Sequence, residues 1–377
     1  MPRFLLLLMT IVILAGCATP EPTIRAGLDA VETLSSSGEG FARAFAPRPF
    51  VFPQDHGPHP EYQTEWWYYT GNLRDGERHF GYQLTFFRSA LSAEAPTRDS
   101  AWGSSQIYMA HLALSDVASG RFYAYERFSR AAAGLAGATG DPFRVFLEDW
   151  SAEGSGPEGM RMELRAAEGD IALDLVLTSR KPLVLQGEGG LSQKGPTPGN
   201  ASFYYSLTRL ETRGSLEIAG QRYNVTGSSW MDHEWGTSAL EGDATGWDWF
   251  SIQLDDDREL MYAQVRSTTG ISYSFGSLVG SDGSVTPLDP RSARLEVLAY
   301  WDSPRSGARY PARWRLTIPA YDLTLELEPK LADQELPLAV IYWEGAVEVR
   351  GSQAGVDLTG HGYVELTGYV PSQRGRF

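Results

Sequence analysis

Alternation of apolar and polar residues constrains this chain more than any other feature. In "HFGYQLTFF" (79–87), Phe80, Tyr82, Leu84 and Phe86 share one face, while His79, Gly81, Gln83 and Thr85 share the other. "IALDLVLTS" alternates through Leu173, Leu175 and Leu177, and "YDLTLELEP" through Tyr321, Leu323, Leu325 and Leu327. A period of two over such lengths predicts strands with one buried face. Arg74-Asp75-Gly76 and Ser281-Asp282-Gly283 lie between such runs and read as hairpin turns. Long helical periodicities are scarce, and 11 Trp and 40 Gly suit strands, tight turns and aromatic-lined surfaces. The fold class is therefore all-β and mostly antiparallel.

The chain also repeats itself. "VTGSSWMDHEWG" (225–236) aligns with "LTGHGYVELTGY" (358–369): Thr226-Gly227 with Thr359-Gly360, Trp230 with Tyr363, Asp232 with Glu365. Upstream, Arg213-Gly214 aligns with Arg350-Gly351. A looser pair joins "WWYYTGNLRDGERHFGYQL" (66–84) to "WDWFSIQLDDDRELMYAQV" (247–265). Matches in one order, opening and closing similar units, indicate duplication. With roughly 320 ordered residues, two domains are also expected from length. The units are 48–238 and 239–377, each a small barrel or curled sheet, a closure that can leave a cavity inside.

The N-terminus sets the expected location. Arg3 and the apolar run Phe4–Leu14 have the shape of a secretory signal over residues 1–16. Leu14-Ala15-Gly16-Cys17 looks like a bacterial lipobox, so Cys17 is expected to be lipidated, with 17–47 as a polar tether. Ala18 after the Cys favours the outer membrane over the inner, with the folded part facing the periplasm. Cys17 is the single cysteine, so a lipidated chain has no thiol for disulfides or thiolate chemistry. A net charge of −15 excludes a nucleic-acid partner.

Four stretches carry a family resemblance: "FPQDHGPHPEYQTEWWYYTGNL" (52–73), "SSWMDHEWG" (228–236), "GWDWFSIQL" (246–254) and "GHGYVELTGY" (360–369). The chain from Phe41 to Tyr369 resembles the AttH/CrtC family, which includes carotenoid 1,2-hydratase (hydroxyneurosporene synthase) and envelope proteins often labelled secreted hydrolases. The resemblance implies two tandem lipocalin-like antiparallel β-barrels, the larger first one carrying the hydratase-type name. It also implies an ABC-transporter permease as a partner. Alkene hydration needs a proton donor, aromatic faces for a carbocation and a base that guides water. The hydratase pattern pairs His-x-Trp with Tyr-x-Asp. Here His233 and Trp235 match the first pair, and Tyr262 the start of the second, but Gln264 stands where the acid is expected. Asp248 is the candidate substitute.

Several constellations bear on function. On a strand, Asp232 and Glu234 share one face and His233 takes the other, so the three do not converge on a metal; His56 and His59 could add ligands, but no zinc motif is present. No metal and no cofactor is expected. His233 either works beside Trp235 in a barrel mouth or hydrogen-bonds where the barrels meet. "EWWYYTG" (65–71) puts aromatics on both faces of a strand, and Glu65 there needs a partner, Arg88 or His111. No Gly-x-Ser-x-Gly elbow supports a hydrolase, and "GEGGLSQKG" (187–195) lacks the ending of a phosphate loop.

The leading expectation is an envelope lipoprotein that binds an apolar, isoprenoid- or lipid-like molecule. Its contacts would come from Glu65, Trp66, Trp67, Tyr69, Arg88, His111, Trp230, Asp232, Trp247 and Trp249. The enzyme alternative is a hydratase with His233 as acid/base and Trp235, Tyr262 and Asp248 beside it. A purely structural assembly factor is the third possibility.

Overall fold

The computed structural model describes residues 38–94, 100, 102–237, 240 and 242–371. The signal segment, Cys17 and most of the tether lie outside the described residues. Among those residues, no helix is long and apolar enough to cross a membrane.

Two large antiparallel sheets follow one another. The first contains β1 (Thr64–Asp75), β2 (Arg78–Ala90), β3 (Gln106–Asp116), β4 (Arg121–Arg130), β5 (Ala136–Gly140), β6 (Phe143–Leu147) and β7 (Trp150–Ser155). It continues with β8 (Arg161–Glu168), β9 (Ile171–Ser179), β10 (Val184–Leu185), β11 (Leu191–Gln193), β12 (Ala201–Ile218) and β13 (Gln221–Gly236). The second contains β14 (Ala244–Leu254), β15 (Glu259–Ser267), β16 (Gly270–Val279), β17 (Val285–Pro287) and β18 (Arg294–Asp302). Its remaining strands are β19 (Arg309–Ile318), β20 (Leu323–Pro329), β21 (Glu335–Pro337), β22 (Ile341–Gln353) and β23 (Val356–Leu366).

Their wiring is the same. The path β4-β3-β2-β1-β13-β12-β9-β8-β7 in the first sheet becomes β17-β16-β15-β14-β23-β22-β20-β19-β18 in the second. In each, the opening strand pairs with the closing one. The first sheet adds β6 and β5 beyond β7 and curls until β6 packs on β2, β3 and β4. The fold is thus a pair of tandem lipocalin-like, barrel-forming antiparallel sheets.

The alternating runs explain the cores. Phe80, Tyr82, Leu84 and Phe86 join Leu173, Leu175 and Leu177 inside the first barrel, with Trp67, Trp150 and Trp235. Leu323, Leu325 and Leu327 fill the second with Phe250, Trp314 and Trp343. The other face of β2 is buried as well. Gln83 Nε2 lies 3.0 Å from the Tyr342 hydroxyl, because the outer face of the first barrel packs on the second. Tyr68, Tyr204, Trp230, Trp249, Met261 and Tyr363 form one apolar cluster across that seam. Around it, Asn72 donates to the Gly362 carbonyl at 3.1 Å, and Gln253 donates to the carbonyls of Thr208 and Ser229 at 2.7 and 3.0 Å. Lys181 and Arg209 of the first unit both pair with the fully buried Glu259 of the second.

Candidate functional site

Register on β1 and β13 sorts the conspicuous residues into two sets. Glu65 lies opposite Trp235, Trp66 opposite Glu234, Trp67 opposite His233 and Tyr68 opposite Asp232. Side chains opposite one another share a face, and successive ones alternate. Glu65, Trp67, Tyr69, Met231, His233 and Trp235 therefore point into the first barrel. Trp66, Tyr68, Trp230, Asp232 and Glu234 point toward the second.

The inward set surrounds Glu65. Its Oε1 accepts hydrogen bonds from His59 Nδ1 and His233 Nε2, both at 2.8 Å. Oε2 accepts from Arg88 Nε at 2.8 Å and from the His59 backbone N–H at 2.9 Å. His59 Nε2 reaches Asp55, which Arg48 also pairs with. Trp235 stacks on the His59 ring at 3.7 Å, and Trp67 stacks on His233 at 4.9 Å. Burial alone would raise the Glu65 carboxyl, but the hydrogen bonds of His233 and His59 and the charge of Arg88 hold it below the ordinary range. Burial opposes a charge on His59, yet the carboxylates of Asp55 and Glu65 lift it above the usual histidine value. For His233 burial wins and lowers it. The ligating atoms of His59, Glu65 and His233 lie within 4.8 Å of one another, the spacing of a metal trio. The two imidazoles and the Arg88 guanidinium all reach the Glu65 carboxylate, joining these residues in one hydrogen-bonded network.

Trp66, Tyr68, Asp232 and Glu234 of the outward set line a cavity of about 240 Å3 between the barrels, which Glu65 and Arg88 also border. Trp66, Tyr68, Tyr204, Trp247, Trp249 and Phe275 form its apolar walls. Five carboxyl groups also line it: Glu65, Asp232, Glu234, Glu344 and Glu365. Asp232 accepts from Ser206 at 2.5 Å, Trp230 Nε1 at 2.7 Å and Tyr204 at 2.8 Å. Burial nonetheless pushes it up to about 7 against those hydrogen bonds, with Glu234 adding to the rise. Burial pushes Glu365 to about 8, a hydrogen bond from Trp247 pulls it down, and the negative charges of Asp232 and Glu234 raise it further. Glu344 stands directly opposite Glu365 on the neighbouring strand. Burial, then its neighbour's charge, raises it well above the carboxylate range. Among the described residues, neither Glu344 oxygen meets a hydrogen bond of good geometry, although the hydroxyls of Tyr68 and Tyr342 stand close enough to favour its ionised form. Glu234 is settled by Ser202 and by Lys194 at 2.7 Å.

The sequence candidates are distributed unevenly over these places. His233 and Trp235 belong to the inward network, behind the cavity wall. Tyr262 packs in the second barrel's core, and Asp248 lies within that barrel, held by Gln264, Arg266 and Tyr369 at 2.8–2.9 Å. The fold does not bring these four together. Of the binding candidates, Glu65, Trp66, Arg88, His111, Asp232, Trp247 and Trp249 line the cavity. Trp67 and Tyr69 face the first core, and Trp230 lies behind Asp232. Glu65 pairs with Arg88, whereas His111 pairs with Tyr342 and Glu126. Sequence reasoning missed Glu344, Tyr342, Tyr204 and Glu126, and it noted Glu365 only as the repeat partner of Asp232. One signal was available: Glu344 interrupts the apolar run "LAVIYWEGAV" (338–347).

Residues 43–369 match the family model described as AttH-like. A dehydratase, asqC of Emericella nidulans, is 21% identical over 244 residues, covering 57% of this chain and 65% of that protein. The chain therefore spans about two thirds of the length of that curated relative. An AttH crystal structure from Nitrosomonas europaea has a TM-score of 0.79 and 35% identity, covering 88% of this chain and all of that one. Kievitone hydratase from Nectria haematococca has a TM-score of 0.66 over 87% of this chain and 98% of its own; at 14% identity the likeness is one of fold.

Proposed function

The chain belongs to the AttH-like family, and from that premise we propose that it is a hydro-lyase, adding water to or removing it from an apolar substrate held between its two barrels. The carrying observation is Glu344, a buried carboxyl without a well-formed hydrogen bond, opposite Glu365 in an aromatic cavity. An unpaired buried carboxyl is costly, and a substrate hydroxyl supplies what it lacks. The names of the asqC dehydratase and kievitone hydratase point to the same reaction class.

In dehydration, the neutral carboxyl of the Glu344–Glu365 pair gives its proton to the leaving hydroxyl, which departs as water. The faces of Trp66 and Trp249 stabilise the cationic carbon. Asp232, ionised above about pH 7, takes the proton from the adjacent carbon as the double bond forms. Hydration runs the same steps in reverse. A carboxyl near 8 and another near 7 supply an acid and a base together close to neutrality. His233 and Trp235 support the wall by fixing Glu65. The cell envelope, with a lipid anchor at Cys17, the periplasm-facing location and a transporter permease as partner belong to the same proposal.

The test offers isoprenoid alkenes and the matching tertiary alcohols to the protein in 18O-labelled water and follows the label by mass spectrometry. Label is expected in the alcohol with the wild type and not with Glu344→Gln. A ligand retained without any label exchange would overturn the hydro-lyase and leave the second reading, an apolar-ligand carrier, which the aromatic walls favour.

A further inference from the structure

We propose that Glu126, His111 and Tyr342 form a proton relay that connects the buried Glu344 to solvent. The proposal rests on the reading that Glu344 exchanges a proton during turnover. An acid that spends its proton in turnover must recover it, and the base that collects one must lose it.

The relay crosses the seam. Glu126 on β4 and His111 on β3 lie opposite one another, with His111 Nε2 3.1 Å from Glu126 Oε2. His111 Nδ1 lies 2.8 Å from the Tyr342 hydroxyl on β22. Tyr342 precedes Glu344 by two residues on the same strand face, its hydroxyl beside that carboxyl. His111 is 1% exposed, Tyr342 4% and Glu344 1%, whereas the Glu126 side chain is 16% exposed. Of the four relay groups, the one that meets water is the carboxylate furthest from Glu344, while Glu365 on the opposite strand is itself partly exposed.

The donors and acceptors run in a consistent direction. Gln83 Nε2 donates to the Tyr342 oxygen at 3.0 Å, which leaves the phenol hydrogen free to turn to His111 or to Glu344. A proton arriving at Glu126 passes to His111 Nε2. His111 then releases its Nδ1 proton to the Tyr342 oxygen as Tyr342 gives its own hydrogen to the Glu344 carboxylate. Each transfer breaks one N–H or O–H bond and forms another, with no further reactant. The groups that face Glu344 besides Tyr342 are Glu365 from β23, Tyr68 from β1 and Tyr363 from β23. The ring of Phe87 packs on His111 at 5.1 Å, and Glu126 is its ion-pair partner.

The test is a pH jump followed by infrared spectroscopy, using the protonated-carboxyl band that Glu344→Gln removes. In the wild type that band is expected near neutral pH and to respond quickly. His111→Phe is expected to keep the band and slow its response at least about tenfold, the scale of a lost proton-transfer group. Glu126→Gln, a change at the surface end that spares the fold, is expected to slow it too. Added imidazole is expected to restore the response in His111→Gly. A wild-type protein without the band at neutral pH overturns both the hydro-lyase acid and its relay. A band whose response is unchanged in His111→Phe and Glu126→Gln overturns the relay alone.

Discussion

Asp232 and Glu365 hold protons at a pH where an exposed carboxyl has lost them, and this ties stability to pH with a definite sign. The folded protein binds a proton that the unfolded chain releases, so the stabilisation is complete below the ordinary carboxyl range. It is lost as pH rises through about 7 for Asp232 and about 8 for Glu365. Each group contributes a slope of about 1.4 kcal/mol per pH unit across its window. Thermal unfolding between pH 5 and pH 9 (roughly the window those shifts span) should show a melting temperature that falls with pH. Asp232→Asn should flatten that fall, and an unaltered slope would contradict a neutral Asp232. Glu65 works in the opposite sense: its lowered pKa stabilises the fold above the ordinary carboxyl range, and that is lost on acidification. His233→Ala removes one of its donors. Losing a buried hydrogen bond to a charged group costs about 1.5–3 kcal/mol, measurable by urea unfolding, while His233→Gln, which keeps an N–H, should lose less. Equal stability of His233→Ala and wild type would show that the network does not depend on that ring.

Strand β13 shows what the sequence made legible and what it did not. Alternation correctly separated Asp232 and Glu234 from His233, because a two-residue period is a property of the strand itself. The repeat was legible for an equally local reason. A side chain at Gly214 would strike the Asp174 carbonyl, and one at Gly351 would strike the equivalent Thr324 carbonyl. Gly227 meets Asn72 in the same way, and Gly360 meets Gln253. The matched glycines mark close strand crossings in both units. Gly227→Ala and Gly360→Ala should therefore cost similar amounts, about 1–3 kcal/mol each, by urea unfolding; a neutral result at either would separate the two crossings. The partners across the seam were not legible. Nothing local to "IYWEG" (341–345) says that Tyr342 meets His111 some 230 residues earlier in the chain, so the bet fell on His233, whose motif was visible, rather than on Glu344, whose neighbours were not.

For the whole molecule, the consequential fact is that the duplicated units bury equivalent faces against each other. Asp232 and Glu365, partners in the repeat, meet the same cavity from opposite sides. A closed sheet suggested a ligand space inside a barrel, but aromatic side chains fill the first barrel and the cavity described here lies between the two. Interfaces between domains of one chain are often loose enough to allow relative motion. This one carries a buried aromatic cluster and Glu259, whose two cationic partners belong to the other unit. Binding and folding should therefore be coupled. A ligand that touches both walls stabilises both barrels at once by mass action, and calorimetry of the wild type should show one transition that moves upward with ligand. Glu259→Ala strands Lys181 and Arg209, at a cost of about 3–5 kcal/mol. It should split the transition in two and weaken binding, although Glu259 does not line the cavity. If the split appeared while affinity stayed at the wild-type value, one barrel alone would suffice to hold the ligand.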